Sequence, residues 1–281
     1  MHSSTNPHQQ ILNIFTSISR NNPPTRTIQG VKKHLYTRDF SAAFSTSDSC
    51  KAYVYRWSAG RSLAYYTILT SLQDSLPNPT DDSIRVHSLG GGAGAELVAF
   101  AAYANVRGIG LDISLYDLAD WETTTSCLYK AIATPSVNAL VARDVFKMRL
   151  RRCDVLAWTA EDAREYLRDA EVVTLCFTLN ELYLASVPKT RLLLGNIAST
   201  VSKGAVLLII DSPGSYSTVP VDGKLYPMSY LLDQTMEGSQ CWEKVVSEKS
   251  RWCRLPKGSE ALKYPIELEN VRCQVHLYRR L

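Results

Sequence analysis

The spacing of apolar residues changes at about residue 80. Between residues 28 and 76, apolar and aromatic side chains recur every three or four positions, which predicts helices. From residue 84 onward, short apolar runs alternate with amphipathic segments, which predicts strands alternating with helices. The predicted strands are 84–89, 111–116, one within 146–155, 171–177, 205–211 and 272–278; the predicted helices are 94–106, 121–140, 160–169 and 188–202. This order predicts an α/β fold with a mostly parallel, doubly wound sheet behind an N-terminal helical extension.

Two regions follow from this change of pattern. The segment Leu76-Pro77-Asn78-Pro79 ends the helical block, so the predicted regions are 1–80, which is helical, and 81–281, which carries the sheet. Residues 1–30 are polar and include Asn21-Asn22-Pro23-Pro24, which predicts a loose lead-in or a short helix followed by a loop.

Composition narrows the class of protein. The sequence contains no stretch of 18 uncharged apolar residues, so we expect no membrane span. The N-terminus lacks the pattern of a secretory signal. The seven cysteines are scattered without a Cys-x-x-Cys pair, so we expect neither a disulfide framework nor a metal site, and an intracellular location. Residues 1–70 carry a net charge of +6, against −2 for the rest, which indicates either an anionic polymer as partner or a solvated face.

A glycine-rich turn follows the first predicted strand. Residues 88–97 read SLGGGAGAEL and contain Gly90, Gly91, Gly92 and Gly94. Such a turn between a strand and a helix lets the backbone approach a ligand closely at the carboxyl edge of a parallel sheet. A P-loop is excluded because no Lys-Ser/Thr follows. The glycines alone fit either a methyl donor or a dinucleotide, since Ala95 completes the dinucleotide fingerprint.

Acidic residues lie near the ends of the next two strands. Asp117 ends LDISLYD, a position at which an acid can bind the ribose of a ligand. We prefer it for this role to Asp112, which lies within the same strand. Asp154 ends MRLRRCD and either accepts a hydrogen bond from an adenine amino group or caps a helix.

Polar groups also end two apolar strands further along. Asn180 and Glu181 follow VVTLC and Phe177, and Asp211 ends AVLLIID. These side chains either reach a cleft at the strand ends or cap helices. Because two polar strand ends and the glycine turn converge on one edge of the sheet, we expect a functional cleft there.

These segments together resemble a known family. SLGGGAGAEL, LYDLADW, LCFTLNEL and LLIIDSPGS are similar to class I S-adenosylmethionine-dependent methyltransferases, which are Rossmann-like. With VKKHLYTRDFSAAF and AYVYRWSAGRSLAYY, the chain resembles more specifically the fungal 25S large-subunit rRNA (uridine-N3)-methyltransferases. The resemblance extends from about Ile28 to the final strand. One departure is Ser88, which stands where many class I members have an acid two residues before the first glycine.

The resemblance implies S-adenosylmethionine (SAM) as cofactor and donor-binding roles for several residues. The four glycines would lie under the methionine part, Asp117 would bind the ribose, Asp154 and Val155 would meet the adenine, and Phe177 belongs to the same donor-binding set. The implied partner is large-subunit rRNA or a pre-ribosomal particle. We expect the protein to be a monomer and to be located in the nucleus, nucleolus or cytoplasm.

The implied chemistry needs the N3 proton of an unpaired uridine to be removed. Asp211 and Glu181 are the candidate bases, and Asn180 is a candidate donor to a carbonyl oxygen of the base. Phe177, Tyr183 or Trp57 could stack the uracil.

The segment RWSAGR carries a candidate RNA contact. Arg56, Trp57 and Arg61 lie within about one and a half helical turns, and Trp57 and Arg61 share a face. They either contact RNA or pack the helix onto the catalytic region through cation–π contacts.

Two other function classes stay open from sequence alone. A nicotinamide-dependent oxidoreductase fits the glycine fingerprint, but Tyr-x-x-x-Lys is absent and the five histidines form no evident site. A non-catalytic RNA-binding assembly factor on a methyltransferase fold is the other, and the intact glycine turn argues against it. A methyltransferase of another RNA base, a protein or a small molecule is a variant of the main hypothesis.

Overall fold

A single sheet forms the centre of the molecule. The computed structural model describes residues 6–18, 23–79, 81–134, 139–256 and 262–281. The strands of these residues are β1 (Ser83–Leu89), β2 (Gly110–Asp117), β3 (Phe146–Arg152), β4 (Val172–Cys176), β5 (Val206–Asp211), β6 (Thr218–Val221), β7 (Lys224–Pro227), β8 (Trp242–Cys253) and β9 (Val271–Arg280). Seven of them form one sheet in the order β3-β2-β1-β4-β5-β9-β8, and β6 pairs with β7 in a separate hairpin.

Helices precede the sheet and cover both of its faces. Their bounds are α1 (Pro7–Ile18), α2 (Thr25–Tyr36), α3 (Phe40–Ala43), α4 (Ser47–Tyr53), α5 (Ala59–Ser71), α6 (Ala95–Arg107), α7 (Glu122–Ala133), α8 (Ala160–Leu167), α9 (Leu179–Ala185), α10 (Val187–Thr200) and α11 (Met228–Ser239). A π-helical turn over Val54–Ser58 joins α4 to α5.

The order and direction of the strands fix where a site can form. Strands β1 to β5 are parallel, and β9 and β8 add to them in antiparallel fashion. The order steps outward from β1 to β3 on one side and from β4 to β5 on the other, so the direction of winding reverses between β1 and β4. Ligands of such sheets bind beyond the carboxyl ends of the strands at this switch point.

Alternation along the central strands builds two cores. In β4, Val172 and Cys176 belong to one apolar cluster, whereas Val173 and Leu175 belong to the cluster on the opposite face. Strands buried on both faces read as continuous apolar runs, as VVTLC does here. The pattern of the sequence therefore identified these central strands correctly.

The N-terminal helices share a core with the sheet. Ile11 and Phe15 of α1 and Leu69 of α5 are fully buried in the same cluster as Ile84 of β1 and Leu111 of β2. Helix α1 lies against α5, α6 and α7. The predicted boundary at residue 80 falls between the end of α5 and β1, and it stays a prediction about sequence regions.

The predicted strands and helices are present with small shifts of their ends, and several elements were not predicted. Strand β8 is an edge strand whose register shifts between Lys244 and Val246 and again between Glu248 and Arg251, so its apolar alternation is broken. The β6–β7 hairpin, α9 and α11 are also additional. Helix α7 ends at Ala133, earlier than expected, and residues 135–138 lie outside the described ones.

The polar N-terminus contains α1, which fits the short-helix alternative. Asn21 and Asn22, part of the expected loop, lie outside the described residues. Among the described residues, no helix is long and apolar enough to cross a membrane. All seven cysteines are described and free, and no group of three or more His, Cys, Asp or Glu in the described ranges could hold a metal ion.

Candidate active site

A cavity of about 1030 Å³ lies beyond the carboxyl ends of β1 to β4. One wall consists of strand ends and the loops that follow them. The other wall comes from the N-terminal helices. Its lining includes Arg38, Phe40, Phe44, Tyr53, Arg61, Gly90, Ala93, Asp117, Trp121, Asp154, Val155, Phe177, Thr178 and Glu181. The cleft expected at this edge of the sheet is therefore present, and the N-terminal helices close it.

The glycine turn forms the floor of this cavity between β1 and α6. Gly90 has φ +80°, a conformation that L side chains rarely adopt, and a Cβ there would also run into the side chain of Thr178. A Cβ on Gly92 would run into the indole of Trp121. Gly90 lines the cavity, whereas Gly92 faces Trp121, so the two glycines serve different contacts.

Two further glycines complete the turn. Gly94 has φ +77° and immediately precedes α6, and its amide donates to the Gly91 carbonyl over 3.0 Å. A Cβ on Gly91 would meet the Ser88 side chain, which is fully buried beneath the turn. Ser88 therefore lies under the turn.

Asp117 connects the glycine turn to the end of β2. Its carboxylate accepts hydrogen bonds from the amide of Gly92 at 2.9 Å and from that of Ala119 at 3.0 Å. Burial raises the pKa of Asp117 above its usual range, and these backbone hydrogen bonds oppose the rise. Asp112 lies outside the cavity lining and forms a 2.5 Å ion pair with Arg149, whereas Asp117 lines the cavity.

Asp154 has a capping contact and also faces the cavity. Its carboxylate accepts a hydrogen bond from the amide of Leu156 at 2.9 Å, at the start of a short 3₁₀ turn. Both Asp154 and Val155 line the cavity. The two roles considered for Asp154 from sequence are thus compatible.

Asp211 and Asn180 are joined behind the cavity wall. Asp211 is fully buried, and its carboxylate accepts from the amides of Asn180 at 3.0 Å and Ser212 at 2.7 Å. Burial raises the pKa of Asp211 to about 6. The Asn180 side-chain oxygen is buried and has no hydrogen-bond partner among the described residues. Neither side chain is part of the cavity lining.

Glu181 differs from its neighbour because it reaches the cavity. Burial raises its pKa well above the usual range, and the nearby negative charge of Asp211 adds to the rise, whereas Arg61 lowers it. A carboxylate with a raised pKa is a stronger base than an ordinary carboxylate, so Glu181 is suited to accept a proton when it is ionised.

Phe177 has a strained backbone at the end of β4. Its φ is +57°, which is uncommon for a residue other than glycine. Its amide donates to the Ile210 carbonyl over 2.6 Å, which holds this conformation between β4 and β5. Strain of this kind concentrates at functional sites, and the Phe177 ring lines the cavity.

The three residues predicted to contact RNA have separate surroundings. Arg56 forms an ion pair with Glu269. Trp57 is partly buried against the core, with its ring 5.4 Å from that of Tyr53. Arg61 points into the cavity. The structure therefore brings Arg61 together with the predicted donor-binding residues, and it places Arg56 and Trp57 outside the cavity lining.

Sequence reasoning missed several residues of the cavity wall. Arg38 and Phe44 come from the turns around α3, Tyr53 comes from α4, and Thr178 opposes Gly90. The family-like segments VKKHLYTRDFSAAF and AYVYRWSAGRSLAYY contain the first three, which was the available signal. Tyr183, a predicted stacking candidate, is 1% exposed and its hydroxyl lies 3.2 Å from that of Thr235, outside the cavity lining.

The fold and the cavity together define a class of protein. Residues 11–279 match a family of SAM-dependent methyltransferases, and the chain belongs to that family. Its methyl donor is therefore SAM, as the resemblance implied, and the same membership excludes the oxidoreductase alternative.

The chain is also similar to individual methyltransferases. The chain is similar to the 25S rRNA (uridine(2843)-N(3))-methyltransferase of Saccharomyces cerevisiae, with 29% identity over 318 positions, covering 98% of this chain and 86% of the relative. Among solved structures, the CurJ carbon methyltransferase has a TM-score of 0.52 at 12% identity, covering 98% of this chain and 71% of that one. It shares the fold. The N-methyltransferase NodS of Bradyrhizobium japonicum WM9, solved with S-adenosyl-L-homocysteine, has a TM-score of 0.43 at 10% identity, covering 97% and 98% of the two chains.

The residues around the cavity fit a donor of this chemistry. SAM carries a ribose whose hydroxyls can donate to a carboxylate, and Asp117 faces the cavity at the end of β2. It also needs a close backbone approach, and Gly90 has no room for a Cβ. The cavity is of the size found for cofactor sites.

Proposed function

We propose that this chain methylates N3 of a uridine in 25S large-subunit rRNA. The observation that carries the proposal is the 29% identity, over 98% of the chain, with a yeast enzyme named for that reaction. The basic N-terminal region, with a net charge of +6 over residues 1–70, supports an RNA substrate. We further propose that the substrate is large-subunit rRNA, free or in a pre-ribosomal particle, and that the chain acts as a monomer in the nucleus, nucleolus or cytoplasm.

We assign the donor site to the strand ends. Gly90 and its turn, formed with Gly91, Gly92 and Gly94, would lie beside the methionine part, and Asp117 would accept from the ribose hydroxyls. Asp154 and Val155, after β3, would meet the adenine, and Phe177 would form the opposite wall. Support comes from the shared cavity that Gly90, Asp117, Asp154, Val155 and Phe177 line. When bound, SAM supplies an electrophilic methyl group on a sulfonium.

We propose Glu181 as the general base. The N3–H bond must break for the nitrogen lone pair to accept a methyl group, and the proton would pass to the Glu181 carboxylate. The lone pair then forms the N–CH₃ bond while the methyl–sulfur bond breaks and its electrons return to sulfur. Support comes from the position of Glu181 in the cavity lining and from its raised pKa.

Asp211 and Asn180 have a supporting role in this proposal. Asp211 is fully buried and its carboxylate holds the Asn180 amide, so it is better suited to orient the start of α9 than to take the substrate proton. The side-chain NH₂ group of Asn180 is the proposed donor to a uracil carbonyl. Because this side chain lies behind the cavity wall, the contact requires the uracil to reach the start of α9. Because N3 is blocked in a base pair, the uridine must be unpaired or flipped out.

We keep Arg56 and Trp57, which are half-buried and outside the cavity lining, as the proposed RNA contacts. The pairing of Arg56 with Glu269 and the partial burial of Trp57 equally suit a packing role. If these residues contact RNA, substituting each by alanine should weaken RNA binding and leave the affinity for the methyl donor unchanged.

The first experiment measures 3-methyluridine in large-subunit rRNA by nucleoside mass spectrometry, with and without the gene. We expect a whole site to be lost in the deletion and restored by the wild-type chain. Glu181→Gln should fail to restore it, whereas Glu161→Gln, an exposed change on α8, should restore it. If deletion leaves 3-methyluridine unchanged, the rRNA assignment is wrong. If Glu181→Gln restores it fully, Glu181 is not the base.

The same experiment decides about the non-catalytic alternative. An assembly factor without activity would alter ribosome production but leave every 3-methyluridine in place. Loss of ribosomal subunits together with unchanged nucleoside content would support that function instead.

A further inference from the structure

Arg61 lies inside the cavity among aromatic rings. Its guanidinium carbon is 4.1 Å from the centre of the Phe177 ring and 5.4 Å from that of Tyr53, and it donates a hydrogen bond to the Tyr53 hydroxyl. These contacts orient the planar group without neutralising its charge, because none of them is an anion.

Arg61 has no carboxylate within 4.0 Å among the described residues, whereas Arg56 and Arg85 each pair with an acid. The acids that influence Arg61 electrostatically are Glu181, Glu96 and Asp211, and they act from beyond ion-pair distance. A guanidinium removed from water without a carboxylate in direct contact is unfavourable. The site therefore favours an anionic ligand group beside Arg61.

The order of the strands indicates which part of a donor would meet Arg61. The adenine-side residues Asp154 and Val155 follow β3, Asp117 follows β2, and Phe177 follows β4, so the cavity runs across the sheet from β3 to β4. Arg61 packs on Phe177, at the β4 end. A donor with its adenosine near β3 and β2 would have its methionine part at the β1 and β4 end.

A second contact ties this part of the chain to the glycine turn. The Ser58 hydroxyl, just before α5, donates to the carbonyl of Ala93 over 3.0 Å. Arg61 is three residues further along, so the base of α5 is fixed beside the turn. Ser88, which is fully buried under the turn, carries no charge and supplies no ion pair to a ligand there.

From this arrangement, we propose that Arg61 binds the α-carboxylate of the methionine moiety of SAM. This carboxylate is the one anion of the donor, and a guanidinium can hold it through two parallel hydrogen bonds. The proposal rests on SAM as donor and is independent of the rRNA substrate. Sequence alone grouped Arg61 with Arg56 and Trp57, either as an RNA contact or as cation–π packing onto the catalytic region. Arg61 does pack on Phe177 and Tyr53, and the proposal adds the donor carboxylate as its partner.

Calorimetry with two matched ligands tests the proposal. S-adenosylhomocysteine carries the carboxylate, and its decarboxylated analogue keeps the adenosine, thioether and amine but lacks the carboxylate. We expect Arg61→Gln to raise the Kd of S-adenosylhomocysteine by about 10- to 100-fold, as for loss of a charged hydrogen bond. The Kd of the decarboxylated analogue should change by less than about threefold, since it loses no contact to Arg61.

The control is Arg149→Gln, which removes a cation that pairs with Asp112 outside the cavity lining, and it should change neither Kd. Arg61→Lys keeps the charge and should retain part of the preference for the carboxylate. Equal weakening of both ligands by Arg61→Gln would indicate a structural role and overturn the proposal, as would no weakening of either. Binding of the decarboxylated analogue also reports that the variant is folded.

A wrong assignment of the Arg61 carboxylate site can be distinguished from a wrong assignment of the rRNA substrate. No RNA enters the calorimetry, so a wrong substrate assignment leaves its result unchanged. If the wild-type chain does not prefer S-adenosylhomocysteine to the decarboxylated analogue, the carboxylate site is wrong even where 3-methyluridine formation is verified.

Discussion

Glu181 and Asp211 are close neighbours at the switch point, but their carboxylates have different surroundings. Both oxygens of Asp211 accept hydrogen bonds from backbone amides, at 3.0 Å and 2.7 Å, which commits that side chain to holding α9. Glu181 faces the cavity and has a pKa raised by burial and by the charge of Asp211. Two carboxyl groups with different environments can thus take different roles, one positioning and one proton-accepting.

The pH dependence of methyl transfer should follow Glu181. A general base must be ionised, so we expect kcat to fall as pH falls through the raised pKa of Glu181 and to be constant above it. Glu181→Gln should lower kcat by about 10²- to 10⁴-fold and flatten the profile. Single-turnover methylation of an RNA fragment across the pH range measures this. An unchanged profile in the variant would mean that another group removes the proton.

Asp117 should control donor affinity through two kinds of contact. Its carboxylate accepts from the amide of Gly92 at 2.9 Å, and it faces the cavity where the ribose is proposed to lie. Asp117→Asn replaces a charged acceptor by a neutral one, so we expect the Kd of S-adenosylhomocysteine to rise about 10-fold or more. The matched change Asp112→Asn, away from the cavity, should leave the Kd within about twofold. Equal effects of the two variants would contradict the assignment.

At the scale of elements, the strands that could be predicted are those whose side chains follow one burial pattern along the whole strand. β4 and β5 are buried along their whole length, and both were identified from continuous apolar runs. β8 was missed because it is a 12-residue edge strand with largely exposed charges and two register shifts. Period-two alternation cannot appear in a strand whose facing changes along its length.

Sequence could place some residues of the candidate active site but not others. Acids such as Asp117 could be placed from sequence because parallel topology brings all strand ends to one edge. The cavity position of Arg61 and Tyr53 could not, because it depends on how helices about 30 residues upstream fold back over that edge. Helical periodicity indicates which face is apolar but not which surface covers it.

Helix α1 should contribute strongly to stability although it begins the described chain. Phe15 is fully buried in the core shared with the sheet. We expect Phe15→Ala to lower the free energy of unfolding by about 3–5 kcal/mol, the usual cost of removing a buried aromatic ring. Val106→Ala, at a position 56% exposed, should change it by less than about 0.5 kcal/mol. Urea unfolding measures both; similar values would mean that α1 is not part of the folded core.

At the scale of the whole molecule, the site concentrates acids in a poorly solvated region. Burial is the largest cause of a raised pKa for Asp117, Glu181 and Asp211, and for Glu96, whose pKa rises to about 7. Glu96 lies in the first turn of α6 and is 3% exposed, with one oxygen lacking a partner among the described residues. Catalytic regions often retain such unfavourable charges, at a cost in stability of the fold.

Glu96 therefore makes stability depend on pH with a definite sign. Its pKa is about 7 in the native state and near the ordinary 4.5 when unfolded, so between these values the native state holds more protons. The free energy of unfolding consequently falls as pH rises through this window. Glu96→Gln removes this ionisation. The free energy of unfolding of the variant minus that of the wild type should therefore increase by on the order of 3 kcal/mol as the pH is raised from about 5 to about 8.

Urea unfolding of both proteins at the two pH values measures this difference, with Glu161→Gln as the exposed control. A constant difference between Glu96→Gln and wild type at the two pH values would mean that Glu96 ionises equally in the folded and unfolded chain. The Glu96 carboxylate would then be better solvated in the native state than its burial beneath the first turn of α6 implies.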